Sequence, residues 1–251
     1  MKDERVLAHC NLFGVLGAIP TLLELDPAAR ELVKDKKLAV GFAVKNGPRG
    51  TLFFNEGRAV MRPGTDRCSI KLYFSSPAKF NAMIDGKANP LPVSGFGHIG
   101  FLLGAFTKLT DLLSEYLRPL PERLEDPTFF ERSTVLMLHV IAGAVAEVGN
   151  EDTVGKFSAS NIVDGVIRLR VGECYAVGVR AKAHRLTALH EDPGPGFSEM
   201  QFANLKVARD LFDGKINAVA AVGMGEVRVG GMISQVDNVN RILDRVSLYL
   251  A

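Results

Sequence analysis

The chain has 251 residues, of which 47% are hydrophobic and 23% charged, a composition typical of a soluble globular protein. The formal net charge is only +2 and no run of Lys and Arg forms a basic stripe, so the sequence predicts no nucleic-acid partner. Its cysteines, Cys10, Cys68 and Cys174, are scattered and odd in number. They indicate neither a disulfide framework nor a metal site, and they favour a reducing, cytoplasmic setting.

Two apolar stretches, residues 10–25 and 134–146, have to be weighed as membrane spans. The first contains Pro20 and two glycines. The second carries His139 and falls short of the roughly 20 residues that a spanning helix needs. We therefore expect both to be buried or half-buried helices of a globular protein.

The first half of the chain changes from helical to strand periodicity. A helix is predicted over 5–18, ended or kinked by Pro20, and a second one begins at Asp26-Pro27. Short apolar stretches separated by turn residues then predict a four-stranded antiparallel meander over residues 38–44, 51–54, 58–61 and 69–74. The remaining predictions are a helix ending at Asp85-Gly86, a fifth strand over 97–103 and an amphipathic closing helix over 107–117.

The second half follows the same plan. Asp126-Pro127 is predicted to begin a helix, much as Asp26-Pro27 does, and residues 118–126 are the predicted linker. Strands are predicted over 166–171, 175–180, 185–190 and 199–202. A helix from Asn204 to Phe212, a fifth strand with Val227 and Val229, and a closing helix over 235–248 complete the plan.

A repeated motif supports a duplication. Asp85-Gly86-Lys87-Ala88-Asn89 and the later Gly95 and Gly97 recur as Asp213-Gly214-Lys215-Ile216-Asn217, Gly223 and Gly225, at a constant offset of 128 residues. This period is too long for a solenoid, whose repeats run about 20–50 residues. The sequence therefore predicts two tandem domains, residues 1–120 and 121–251.

One glycine motif has to be weighed as a nucleotide site. Residues 95–100 satisfy G-x-G-x-x-G, which binds dinucleotides when it joins a strand to a helix in a parallel unit. Pro90 and Pro92 precede it, and the second copy has Arg228 at the third glycine position. We therefore predict no cofactor and assign the glycines to tight turns.

The polar side chains give no catalytic or metal constellation. His184, His190 and the adjacent Glu191 would share or flank one strand face, but such a set is smaller than typical metal sites, so we expect solvated residues. His139 is expected to be a hydrogen-bonded core residue and His98 a surface residue of a strand. The pairs Asp85/Lys87 and Asp213/Lys215 are expected to be solvated neighbours of helix ends. The sequence thus predicts no enzyme, no catalytic residue and no metal ligand.

The order of these elements resembles the sterol carrier protein type two family. In the second copy, residues 213–218, 225–231 and 235–248 are similar to that family's Gly-Lys pair, its glycine-flanked strand and its leucine-rich helix. In the first copy, residues 26–32, 57–60 and 85–89 carry the resemblance. The first copy departs by its Pro90 and Pro92, and the second by lacking an Asp-Pro helix directly before its first strand.

The resemblance implies an α+β fold of two tandem domains, each a mainly antiparallel five-stranded sheet covered by helices around an apolar tunnel. Its ligand would be a fatty acid, acyl-CoA, sterol-like or quinone-like lipid, bound without catalysis, with transient membrane contact. Burying about 16 methylenes could contribute on the order of 10 kcal/mol before entropic costs, so affinity needs no polar motif. The predicted lining residues are Phe101, Phe106, Leu109, Leu112, Leu113, Val229, Met232, Ile233, Val239, Ile242 and Leu243.

Two other functions stay open at this point. In the first, the chain is a structural or interaction module whose cavities are filled by side chains, and helices 5–18 and 129–148 join the halves or form a homodimer. In the second, the chain is an accessory to a lipid-modifying enzyme. That hypothesis predicts a polar cluster at a tunnel mouth, around Asp85/Lys87, Asp213/Lys215 or His184/His190.

Overall fold

The computed structural model describes residues 2–88, 90, 92–196 and 198–250, so Asn89 of the repeated motif lies outside the described residues. The chain divides into two compact units, Met1–Arg132 (unit 1) and Ser133–Ala251 (unit 2). The division falls within the helix Pro127–Glu151. Domain boundaries at residues 120 and 121 stay a prediction.

Unit 1 contains a five-stranded mixed sheet. Its strands are β1 Lys37–Val44, β2 Arg49–Asn55, β3 Arg58–Pro63, β4 Ile70–Phe74 and β5 Pro92–Ser94, in the order β3-β2-β1-β4-β5. The pairs β1–β2, β2–β3 and β4–β5 are antiparallel, whereas β1–β4 is parallel. The predicted meander is therefore wrong at its fourth strand, because β4 returns beside β1 instead of pairing with β3.

The connection from β3 to β4 explains this return. Its residues cross the sheet on the face opposite the buried Val40 and Phe42, and the Thr51 hydroxyl donates a hydrogen bond to the Gly64 carbonyl at 2.7 Å. Gly41 makes room for the crossing, since a Cβ there would lie 2.8 Å from the Cys68 sulfur. A tight turn after β3 would have placed β4 beside it and continued the meander, but a connection of six residues, 64–69, is long enough to cross the sheet to β1.

Unit 2 contains a sheet of the same topology. Its strands are β6 Gly165–Val171, β7 Tyr175–Lys182, β8 Arg185–Leu189, β9 Ser198–Phe202 and β10 Val227–Gly231, in the order β10-β9-β6-β7-β8. Again one central pair, β6–β9, is parallel and the other pairs are antiparallel. The α+β class and the two five-stranded sheets are confirmed, but the sheets are mixed, where the sequence predicted mainly antiparallel ones.

Unit 1 begins with a helical run, Glu4–Leu25, that is longer than predicted. Its middle consists of a π-helical stretch, Cys10–Val15, and a 3₁₀ turn, Leu16–Ala18. Pro20 then lies in the first turn of the α-helical segment Ile19–Leu25, where its missing N–H breaks no helical hydrogen bond, so it does not end the run. The helices Pro27–Glu31, Pro77–Ile84 and Thr107–Leu117 follow.

The fifth strand of unit 1 was predicted at the wrong place. It is Pro92–Ser94, and residues 97–103 are helical: a 3₁₀ turn Phe96–His98, an α turn Ile99–Phe101 and a π-helical stretch Leu102–Phe106 lead into the closing helix. Gly95, at φ +80°, turns the chain out of the strand so close to β4 that a Cβ would lie 2.1 Å from the Ser69 carbonyl oxygen. The apolar residues after it follow helical spacing, which the strand prediction overlooked.

Unit 2, like unit 1, has an aspartate-capped helix directly before the first strand of its sheet. The helix Thr153–Ser160 lies directly before β6, and Asp152 caps it by accepting from the N–H groups of Val154 and Gly155. Asp126 instead caps the long helix Pro127–Glu151. The helix start predicted at Asp126-Pro127 is therefore confirmed, although the residue that corresponds to Asp26 directly before the first strand is Asp152. The helices Leu205–Phe212, Ala218–Gly223 and Ile233–Leu250 complete the unit.

Two helices, Glu4–Leu25 and Pro127–Glu151, are long and apolar enough to cross a membrane by length and composition. In each, 72% of the most apolar window is buried within the structure. Such burial is what the core helix of a globular protein shows, in agreement with the expectation from the sequence.

Candidate ligand-binding interiors

The closing helix of unit 1 packs its apolar face on the sheet. Leu109 and Leu113 are fully buried, and Leu112 is half-buried on the flank of the same helix. Phe101 and Phe106, from the helical turns just before, are also buried. The structure thus brings all five predicted lining residues of the first copy to one interior, although the two phenylalanines reach it from a helix and not from a strand.

Aromatic rings fill that interior. Phe106 lies 6.2 Å from Phe42 and 6.4 Å from Phe54 between ring centroids, and Phe101 lies 5.5 Å from Phe54. Phe80 extends the cluster at 6.3 Å from Phe42, and its second neighbour is Phe74 at 5.1 Å. These spacings are those of contacting aromatic pairs, so a ligand could enter this space only by displacing rings.

The interior of unit 2 is aliphatic. Val239 and Ile242 of the closing helix are fully buried, whereas Val229 and Leu243 are half-buried. The sheet contributes Ile167, Leu169, Val177 and Val179, all essentially inaccessible to solvent. Among the described residues of unit 2, the aromatic contact that adjoins this interior is that of Phe202 with Phe212, at 5.6 Å.

Two of the predicted lining residues of unit 2 lie at its surface. Met232 is 41% exposed and Ile233 is 66% exposed. The positive φ of Gly231 turns the chain between β10 and the closing helix, and Ile233 then occupies the first turn of that helix, ahead of its buried face. The prediction that these two side chains line the interior is wrong.

A buried aspartate–tyrosine contact ties the closing helix of unit 1 to the helix before the first strand. The Tyr116 hydroxyl donates to Asp26 Oδ2 at 3.0 Å, while Asp26 Oδ1 accepts from the Ala28 N–H at 2.8 Å. Arg132 lies 3.9 Å from the same carboxylate. Burial raises the pKa of the Tyr116 hydroxyl, against the opposing effect of Arg132.

The same contact recurs in unit 2 with a closer, bidentate ion pair. The Tyr249 hydroxyl donates to Asp152 Oδ2 at 2.7 Å, and Arg245 donates to both carboxylate oxygens at 3.2 and 2.7 Å. Burial acts to raise the pKa of Asp152, but the hydrogen bonds from Arg245, Tyr249 and the Gly155 N–H outweigh it and lower that pKa to about 2. We call each of these contacts the tyrosine clasp.

Sequence reasoning missed the tyrosine clasp, although a signal was present. Tyr116 and Tyr249 are each the penultimate residue of a closing helix, and Asp26 and Asp152 each cap the helix before the central strand. The predicted duplication could have linked them, had Asp152 been aligned with Asp26. The clasp holds each closing helix over its sheet.

The histidines do not form the strand face that was predicted. His184 lies in the turn between β7 and β8 at φ +62°, and β8 ends at Leu189, so His184 and His190 do not alternate along one strand. His190 instead faces His139, with their Nδ1 atoms 3.2 Å apart and the rings nearly parallel. Burial, and then the neighbouring His190, lower the pKa of His139 to about 4, and burial lowers that of His190. Both rings are therefore neutral at pH 7, and one can donate to the other.

The two predicted Asp/Lys pairs lie at helix ends. Asp85 and Lys87 lie 3.5 Å apart at an exposed helix end, and Asp213 and Lys215 lie 3.0 Å apart at the equivalent place. Over the described residues, no group of three or more His, Cys, Asp or Glu side chains could hold a metal ion.

The G-x-G-x-x-G residues also have a structural explanation. They follow a three-residue strand, β5, that pairs antiparallel with β4 at the sheet edge, which is not the parallel unit that dinucleotide binding requires. Contrary to expectation the residues after them are helical, not strand-like. Gly95 is required by its close approach to β4, while Gly97 and Gly100 face open space.

A separate cleft of about 560 Å³ lies in unit 1 beside β3 and the end of the N-terminal helix. Charged side chains, among them Glu24, Arg30 and Arg58, line much of it. None of the predicted lining residues contributes to it. It is large enough for a small ligand, and apolar residues such as Leu23 and Val60 line it together with the charged ones.

Comparison with known proteins gives a likeness to solved structures but shows no family. No family model matches the chain, and no curated protein matches it. A solved structure described as "UbiJ-SCP2 Ubiquinone synthesis protein" is similar at 21% identity and a TM-score of 0.33, over 43% of this chain and 95% of its own. A TM-score this low carries no argument, so the chain's own geometry and sequence have to support a function.

Proposed function

We propose that the chain is a non-catalytic, cytoplasmic carrier of a hydrophobic ligand and that unit 1 is the copy that binds it. The observation that carries the proposal is the interior of unit 1, where Phe101, Phe106 and Leu109 meet the sheet with no polar side chain among the predicted lining residues. Apolar pockets with few polar groups are typical of sites for lipids. The ligand class is an acyl chain or a ring system such as a sterol or quinone.

Two features favour unit 1 over unit 2. The helical turns that carry Phe101 and Phe106 contain a π-helical stretch. Three glycines lie in or just before these turns, Gly97, Gly100 and Gly104, and no atom lies within 4 Å of the position that a Cβ would occupy at any of them. A π-helical stretch with three glycines nearby is a segment whose backbone can rearrange more readily than a regular helix. In addition, Asp26 lacks the bidentate arginine that Asp152 has, so the closing helix of unit 1 is held by fewer strong contacts.

A titration with a fluorescent fatty acid tests the proposal. Delipidated protein should bind one equivalent saturably, and a folded protein that shows no saturable binding would exclude the carrier function. The Phe106→Ala variant removes a ring that the ligand has to displace, so it should bind more tightly than the parent chain. The Ile242→Ala variant makes the matched change in unit 2 and should leave the affinity unchanged.

The six-ring cluster also favours a second function, the interaction module with filled cavities. Under that hypothesis Phe106→Ala lowers stability without creating a binding site, because the rings are core and not a gate. The two functions therefore predict opposite outcomes for the same titration.

A further inference from the structure

The residues just before the closing helix of unit 1 expose large apolar side chains. We call residues 92–106, Pro92 to Phe106, the entry segment. Val93 is 51% exposed, Phe96 63% and Leu103 77%. Phe96, Gly100 and Leu103 follow helical spacing, so they share the outer face of the segment, while Phe101 and Phe106 occupy its inner face. The segment is thus apolar on both faces.

Basic residues predominate around the entry segment, and one of them, Lys87, also pairs with Asp85 at 3.5 Å. No acidic residue occurs between Asp85 and Asp111, an interval that contains Lys87, Lys108 and His98. Lys71 of β4 lies opposite Ser94 in the pair of β4 with β5, which brings a further cation to the same sheet edge. An exposed apolar face bordered by lysines complements a bilayer whose headgroups are anionic.

The equivalent part of unit 2 differs in its charges. Met224 and Ile233 are exposed there, but Glu226 lies between them in the chain. The exposed Phe157 of unit 2, at 69%, follows Lys156, whose ammonium lies 4.0 Å from the Glu151 carboxylate, and the capping Asp152, so its surroundings carry both signs of charge. The surfaces around Met224, Ile233 and Phe157 thus expose large apolar side chains, as the entry segment does, but acidic residues accompany them.

We propose that the outer face of the entry segment is the surface by which unit 1 docks on an anionic lipid bilayer, so that ligand passes between the bilayer and the interior beneath the same segment. The inference rests on the proposed carrier function for its purpose, since a carrier exchanges its ligand with membranes. Its geometry is independent of that function, because docking needs only the outer face. Penetration of Phe96 and Leu103 past the headgroups leaves the lysines at the level of the lipid phosphates.

The chain contains no tryptophan, and this allows a direct test. In Phe96→Trp the new indole is the sole tryptophan, and its emission should shift to the blue on addition of vesicles of phosphatidylcholine with 30% phosphatidylglycerol. Phe157→Trp places an indole at a position of similar exposure and should show no shift. Leu103→Trp should repeat the result of Phe96→Trp, so that the test does not depend on one variant folding well.

Binding to sedimented vesicles gives the strength of the contact. Replacing Phe96 and Leu103 together by serine should lower the vesicle partition coefficient at least tenfold. The double variant Lys87→Glu, Lys108→Glu should lower it at least tenfold on anionic vesicles and should have no effect on pure phosphatidylcholine. Lys182→Glu, on an exposed strand position of unit 2, is the matched control and should change it less than twofold.

Each outcome decides one of the two proposals. Equal emission of the two tryptophans with anionic vesicles overturns the docking surface, whatever the fatty-acid titration shows. A blue shift of Trp at position 96 that follows protein concentration and not vesicles also overturns it, since a second copy then covers the face. Vesicle binding without saturable fatty-acid binding in vesicle-free buffer supports the docking surface and overturns the carrier function.

Discussion

The two units have one topology but differ in what fills the space beneath the closing helix. Unit 1 packs six phenylalanine rings there, while unit 2 packs aliphatic side chains, and the tyrosine clasp of unit 2 has an additional bidentate arginine. Both interiors are apolar, so hydrophobicity alone does not distinguish a binding copy from a structural one. The two units therefore have to be distinguished by which side chains fill the interior and by how firmly the closing helix is held over it.

The largest expected difference between the units concerns their cores. Phe106→Ala should lower the free energy of unfolding of unit 1 by roughly 3–5 kcal/mol, because it removes a buried ring, whereas Ile242→Val in unit 2 should cost about 1 kcal/mol. Hydrogen exchange read by mass spectrometry assigns each loss to its unit. Loss of protection in unit 2 instead of unit 1 in the Phe106→Ala variant would contradict the assignment of the ring cluster to the core of unit 1.

The tyrosine clasps should differ in the same experiment. Asp152→Ala leaves Arg245 without its partner and removes a helix cap, so it should cost about 3 kcal/mol. Asp26→Ala removes a cap and one tyrosine contact, and should cost about 2 kcal/mol. Urea denaturation of both variants, with Asp126→Ala as the control at an exposed cap, measures this order. A larger loss for Asp26→Ala would contradict the account of the clasp.

The pH dependence of stability should come mainly from unit 2 and in two windows. The pKa of His139 is about 4 in the fold, against about 6.5 for an unfolded chain, so the unfolded state binds the proton first. Stability is therefore fully present above pH 6.5 and is lost as the pH falls towards 4. The pKa of Asp152 is about 2, so its contribution is present above pH 4 and is lost between pH 4 and 2.

Two variants separate these windows. His139→Leu should reduce the loss of stability between pH 6.5 and 4, where His190 also contributes, and leave the lower window intact, whereas Asp152→Asn should reduce the loss in the lower window. Thermal unfolding followed by circular dichroism at half-unit pH steps measures both. A profile of His139→Leu that falls as steeply between pH 6.5 and 4 as that of the parent chain would show that His139 is not a source of the pH dependence.

The smallest effect is expected at the surface of unit 2. Met232→Ser should change the free energy of unfolding by less than about 0.5 kcal/mol and leave ligand binding unchanged, because the side chain is exposed. Val239→Ser, a residue with no exposed area on the neighbouring closing helix, is the contrasting change and should cost several times more. Similar costs would mean that Met232 is packed in solution.

Local sequence signals predicted most of the elements but not their pairing. The strand ends follow turn residues such as Asn46-Gly47 and Glu56-Gly57, and the helix Pro77–Ile84 begins at Ser76 and ends before Gly86 at φ +71°, as predicted. The return of β4 beside β1 depends on the crossing at Gly41, a contact between residues far apart in the chain. The hydrophobic periodicity of a sequence carries no information on such a contact.

The site was predicted unevenly for the same reason. Leu109, Leu113, Val239 and Ile242 follow the 3.6-residue period of the closing helices, so their burial could be predicted. Phe101 was assigned to a strand because the glycines before it, Gly95 and Gly97, are typical of turns and gave no signal for the start of a helix. The contact of His139 with His190 and the tyrosine clasps join distant residues, and only comparison of the two copies could have suggested the clasps.

Native mass spectrometry of the purified chain tests the central claim, that unit 1 carries a hydrophobic ligand, most directly. After incubation with an excess of a long-chain fatty acid, the account predicts one bound molecule per chain. The occupancy should rise in Phe106→Ala and stay unchanged in Ile242→Ala. A spectrum with bare chain alone at every ligand concentration, from protein that is folded by circular dichroism, would contradict it.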